Sequence, residues 1–204
     1  MSGPRALVLA ALLVAGGAGV VHAGPPTDQV KQYTDHVQKI LQDPAIPAAD
    51  KRAAVRKVAA EVFDVHETAK RALGRHWQAR TPAEREEFVQ LFADLLERTY
   101  IHRIDRYGGE RLVYTHEAVD GDYATVRAKV LTRQGAEVPV EAKLHRRGDR
   151  WLIYDVAVEN ISLIANYRSQ FDRIIRSASF EELMSRLRTR RQELLSEPPP
   201  GRAS

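Results

Sequence analysis

Cysteine is missing from this 204-residue chain. Its absence excludes disulfides, zinc–thiolate sites, thiol nucleophiles and an acylated N-terminal cysteine. No serine sits between glycines in a nucleophile elbow, and no glycine-rich loop ends in Gly-Lys-Ser or Gly-Lys-Thr. The histidines at 36, 66, 76, 102, 116 and 145 are scattered, with no paired metal-ligand spacing. "HETAK" (His66 to Lys70) comes nearest to a zinc-protease helix, but Lys70 stands where a second histidine must ligate. The sequence therefore implies no cofactor and no metal.

Long apolar runs are also scarce. The one present is N-terminal, "MSGPRALVLAALLVAGGAGVVHAGPP", with a single charge at Arg5 ahead of an uncharged stretch to about Val21. Val21-His22-Ala23 supplies a small-residue cleavage site, and Gly24-Pro25-Pro26 breaks any helix just beyond it. We expect residues 1–23 to be a secretory signal peptide, cleaved to leave a soluble periplasmic protein. Charge of one sign is scarce as well: 31 Lys and Arg stand against 27 Asp and Glu. The strongest basic cluster, Arg186, Arg188, Arg190 and Arg191, shares its helix with Glu181, Glu182 and Glu193. That is the pattern of a solvated face, so nucleic acid is not an expected partner. A weak attraction to anionic membrane surfaces stays open.

What is present is hydrophobic periodicity. Val30, Tyr33, Val37, Ile40 and Leu41 recur at helical spacing over Thr27–Gln42, before the break "DPAIP". A second helix begins near Ala48 with Ala54, Val55, Val58, Ala59, Val62 and Phe63 as its stripe, and a short third covers Val65–Trp77. "TPAE" (Thr81 to Glu84) combines a cap, a first-turn proline and a capping-box glutamate. The helix it starts presents Phe88, Leu91, Phe92, Leu95, Leu96 and Thr99, and should run to about Arg106, stopping at Gly108-Gly109. The period then becomes two. "RLVYTHEAV", "YATVRAKVLT", "EVPVEAKLHR" and "RWLIYDVAV" are separated by short glycine-containing turns, which predicts four hairpin-connected strands. Two helices follow, Ser162–Ser177 and one opened by "SFEE", then the loose tail "EPPPGRAS". The expected fold is α+β: an antiparallel four-stranded meander against several helices. It forms one compact unit over 24–195, with a helical part at 27–106, the sheet at 110–159, C-terminal helices at 161–195 and a disordered tail at 196–204.

Asp155 interrupts an otherwise apolar strand. It is either a functional carboxylate or one matched by a partner at a sheet corner, since a buried charge must be paired. Arg168 is the candidate partner.

Taken together, "LGRHWQARTPAEREEFVQLFADLLERTY" (Leu73 to Tyr100), "WLIYDVAVENISLIANYRSQF" (Trp151 to Phe171), the "FD" at Phe63-Asp64 and the terminal "RTRRQELL" resemble the MlaC, or toluene-tolerance auxiliary, family. The likeness runs in order over nearly the whole chain after residue 23. Asn160 stands where relatives commonly have Gly, and Asn tolerates the left-handed backbone that such a turn needs. The resemblance implies a periplasmic phospholipid carrier, not an enzyme. Its relatives shuttle lipid between an outer-membrane lipoprotein–porin complex and an inner-membrane ABC transporter complex with its periplasmic lipid-binding subunit, and so act in outer-membrane lipid asymmetry. It also implies a curved, partly NTF2-like sheet with an acyl-chain cavity between sheet and helices. On that basis we expect the pocket wall to draw on Val58, Val62, Trp77, Phe88, Phe92, Leu95, Tyr123, Val126, Val130, Val140, Leu144, Trp151, Ile153 and Tyr167. Asp155, Asn160 and Arg168 are expected to hold the structural corner. For each wall residue the ordinary alternative is plain core, because packed interiors are the rule. Two other classes remain: a periplasmic enzyme with a polar pocket, and a module or chaperone that offers apolar surface to a protein.

Overall fold

The computed structural model describes residues 25–101 and 109–196. The expected signal peptide, the loose tail beyond Ser196 and the stretch to Arg106 lie outside them.

Helix α1 (Pro25–Gln42) and helix α2 (Ala48–Val62) form an antiparallel pair across the "DPAIP" break. Helix α3 (Val65–Leu73) is shorter than the periodicity suggests. Gly74 takes φ +57, which ends the α-helix, and Gly74–His76 continue as one 3₁₀ turn. Helix α4 (Pro82–Tyr100) starts with the full capping box: the Glu84 amide donates to Thr81 Oγ1, and Glu84 Oε2 accepts from the Thr81 amide at 2.7 Å. Such a box satisfies amides that the first turn leaves without partners.

Strands β1 (Arg111–Asp120), β2 (Tyr123–Leu131), β3 (Glu137–Arg147) and β4 (Arg150–Val158) form the expected meander. The sheet has five strands, not four. A two-residue strand, β5 (Ile161–Ser162), pairs with the end of β4 before helix α5 (Leu163–Ser177) and helix α6 (Phe180–Ser196) close the fold. Two residues carry no periodicity, which hid β5 in the sequence. Register breaks at Tyr114/His116 on β1 and at Lys143/Leu144 opposite Ile153 and Asp155 on β4 are bulges, which bend and twist a sheet.

The helices make two cores, not one. Alternate residues of the sheet (Val126, Val130, Val140, Leu144, Trp151, Ile153) pack under Val30, Val37, Val55, Val58 and Val62 of α1 and α2. Helices α3 to α6 build a second core around Phe88, Phe92, Phe171, Leu183 and Met184. The free edge of β4 is covered twice, by β5 at one end and at the other by Phe63, which bridges to Ile153. Covered edges do not recruit other strands.

A graded apolar seam and two capping carboxylates

On α4, Phe88, Phe92 and Leu96 are four residues apart, and on α5 so are Leu163, Tyr167 and Phe171. Four-residue spacing stacks side chains on one helix face. Phe88 meets Phe171 edge to face at 5.6 Å, and Phe92 meets Tyr167 edge to face at 5.0 Å. That order of pairing is the one of helices running in opposite senses, and Leu96 and Leu163 lie one turn further along the same two faces.

Burial falls along this series. Phe88 and Phe92 are fully enclosed, while Tyr167, Leu95, Leu96 and Leu163 are half-buried. The Tyr167 hydroxyl bonds to Tyr100 and Thr99, while burial pushes its phenol pKa up. The seam thus offers apolar surface that opens outward and is edged by hydroxyls. The Tyr167 phenol stays neutral at ordinary pH.

The structure divides the expected wall between the two cores. Val58, Val62, Val126, Val130, Val140, Leu144, Trp151 and Ile153 belong to the sheet-side core. Trp77, Phe88, Phe92, Leu95 and Tyr167 belong to the helical one. Tyr123 joins neither. It sits one residue out of phase with Ala124 and Val126, half exposed on the other face, near Tyr154 and the Arg71 guanidinium. Sequence reasoning missed Leu96, Leu163 and Phe171 as seam residues. Their signal was the matched four-residue spacing on α4 and α5, which acquires meaning only once those helices are known to face each other.

The corner is built differently from expectation. Asp155 is 7% exposed; its carboxylate accepts from Ser162 Oγ at 2.6 Å and from the Ile164 amide at 3.1 Å, with Lys143 Nζ at 3.9 Å. The β4 bulge turns Asp155 away from the sheet-side core and toward α5, where it helps to cap the first turn. Arg168 is not its partner. It lies two turns along α5, with its stem across Gly74. Asn160 does turn the chain, at φ 63, but together with Glu159 at φ 51, as the two central residues of a hairpin between β4 and β5. Two successive positive φ values are what a tight hairpin of this twist needs.

Asp64 is a partly buried carboxylate that also caps a helix. Its Oδ1 accepts from the Glu67 amide at 2.8 Å and so caps α3, while Oδ2 holds His145 Nε2 at 3.0 Å and Arg147 at 3.1 Å. Burial works to raise its pKa. The Glu67 amide, Arg147 and His145 outweigh that, and the carboxyl is held below its ordinary range.

With the geometry in place, the likeness to known proteins is decisive. The family model for the MlaC protein matches residues 31–189, from α1 into α6. This chain belongs to the MlaC family. The same fold is seen in the structure of a phospholipid-binding protein from Ralstonia solanacearum in complex with a phospholipid, at a TM-score of 0.73 and 24% identity. The match covers 84% of this chain and 99% of that one. MlaC membership accounts for the order of helices, meander and closing helices as one unit.

Proposed function

We propose that this protein is a soluble periplasmic phospholipid carrier, which holds acyl chains against apolar side chains and exchanges lipid between outer-membrane and inner-membrane transport complexes. The observation that carries the proposal is the MlaC match over residues 31–189, joined to a structural neighbour described as phospholipid-binding. The outward-opening seam at Leu95, Leu96, Leu163 and Tyr167 is where we place the acyl chain, because its apolar surface is only half covered by the protein itself.

Magnitudes fit a carrier. Each buried acyl CH₂ contributes about 0.8 kcal/mol, so a chain of about fifteen carbons contributes roughly 12 kcal/mol. Release into bare water at that scale is slow, and loading and unloading should take place on docked partners. The inner-membrane ABC transporter complex with its lipid-binding subunit and the outer-membrane lipoprotein–porin complex are the proposed partners. The secretory pattern of residues 1–23 supports the periplasm as the compartment. We read the protein as a binding and transport protein, not an enzyme. Asp155, the residue on which an enzymatic reading would rest, is engaged by Ser162 and the Ile164 amide.

The test is native mass spectrometry of protein purified gently from a bacterial periplasm, followed by organic extraction and lipid identification. A stoichiometric phospholipid adduct is the expected result. Protein at its bare mass that also fails to load from liposomes removes the carrier reading.

A further inference from the structure

Many of the basic side chains are matched by carboxylates. On α6, Arg186 holds Glu182 at 2.7 Å, Arg188 holds Glu87 at 2.7 Å, Arg190 holds Glu193 at 3.0 Å and Arg191 holds Asp94 at 2.9 Å. Three strand cations are matched in the same way: Arg127 with Glu141, Lys129 with Glu137, Arg146 with Asp122. The cluster that stands out most in the sequence is therefore neutralised.

The outward face of α5 is not. Arg168, Arg173 and Arg176 are exposed along it, and Arg75 reaches the same face from the 3₁₀ turn. One carboxylate, Asp172, serves them, with Arg75 at 2.5 Å, His76 at 2.8 Å and Arg176 at 3.9 Å. Arg168 and Arg173 reach no carboxylate among the described residues. The stem of Arg168 lies so close over Gly74 that a Cβ there would stand 3.0 Å from its Cδ, which holds Arg168 against the turn that carries Arg75. Ser169, Asp172, Arg173, Arg176 and Ser177 line a shallow depression in this face.

We propose that this face docks on the surface of an anionic phospholipid bilayer. Four guanidinium groups against one carboxylate complement a sheet of phosphates, to which guanidinium is matched in shape and charge. Protein interfaces also use arginine, but around a core of apolar and aromatic side chains. The exposed large hydrophobic residues among those described, Val119, Tyr123 and Ile161, are all on strands, and none is on α5. Adsorption through arginines alone is shallow and salt-sensitive, as a reversible visit to a membrane requires. The proposal does not depend on lipid carriage at the seam, since a protein that holds no lipid can still adsorb.

The experiment is co-sedimentation of the full protein with vesicles of phosphatidylcholine alone and of phosphatidylcholine with phosphatidylglycerol, at low and high salt. Protein position is read, not lipid transfer. The wild type should pellet with the anionic vesicles at low salt and be released at high salt. The double variant R173E/R176E should bind about tenfold more weakly or less. R186E/R190E on α6 is the control and should bind like the wild type, with circular dichroism confirming that both variants are folded. Equal binding to both vesicle types, or equal loss in the α6 control, overturns the proposal. So does failure to pellet together with retention on immobilised polyglutamate that R173E/R176E abolishes, which assigns the face to an acidic protein.

Discussion

Phe92 and Tyr167 meet edge to face at 5.0 Å, and one helical turn beyond them Leu96 on α4 and Leu163 on α5 are only half-buried. The contact joins the aromatic face of α4 to that of α5. It also marks where enclosure gives way to half-burial, because the aromatic rings fill the space between the helices and the leucines beyond them do not complete it.

Filling that opening should block lipid without unfolding the protein. Leu163→Trp and Leu96→Trp place large rings where the native side chains are only partly covered. We expect melting temperatures close to wild type and a loss of at least half of the co-purified phospholipid by native mass spectrometry. Val130→Trp is the contrast: Val130 is fully enclosed, so overpacking there should cost about 1–3 kcal/mol in urea unfolding. Full lipid occupancy in both leucine variants would move the acyl site to the sheet-side core.

Asp155→Ala removes the acceptor for Ser162 Oγ and for the buried Ile164 amide. Leaving such donors without a partner costs about 1–3 kcal/mol. Asp155→Asn keeps one amide oxygen as acceptor and should lose less. In both variants lipid per folded molecule should equal that of the wild type, measured by extraction after size exclusion. A lipid loss larger than the folded fraction explains would make Asp155 a ligand contact.

Asp64 predicts an acid limb to stability. Its carboxyl is held below the ordinary value of 3.8 in the fold, so the unfolded chain takes up the proton first. The stabilisation is fully present above that value and is lost as pH falls below it, through the folded pKa. Asp64→Ala should cost about 1 kcal/mol at neutral pH through loss of the α3 cap. Below pH 4 the gap between variant and wild type should narrow. A gap that stays constant from pH 7 to pH 3 would mean that the carboxylate charge contributes nothing.

Asn160 occupies φ 63 in the β4–β5 hairpin. Asn160→Gly should be tolerated, whereas Asn160→Val should cost about 1–2 kcal/mol, because a branched side chain clashes in the left-handed region. Chemical denaturation distinguishes them. Equal stability of the two would mean that the turn relaxes to another conformation.

Local physics made much of this molecule legible. Apolar spacing on Val30–Ile40, Val55–Val62 and Phe88–Phe92, the Thr81–Glu84 capping box and the glycine turns at 121, 135 and 148 are short-range signals, and α1, α2, α4 and the meander follow from them. Strand alternation does not say which face turns inward, and the expected wall groups Tyr123 with Val126 and Val130 although it lies on the opposite face. What short-range pattern does not contain is the partner of each face. Periodicity assigns Val58 and Phe92 equally to an apolar interior, and only the packing of α2 on the sheet and of α4 on α5 sends them to different cores. Charge behaves in the same way. The arginines of α6 look like the basic surface until Glu87 and Asp94 arrive from α4 to neutralise Arg188 and Arg191, while those of α5 look ordinary until Arg75 joins them across a shared Asp172. Composition fixes how many cations there are; which of them face solvent unmatched is decided by long-range contacts, and those form only when the chain folds.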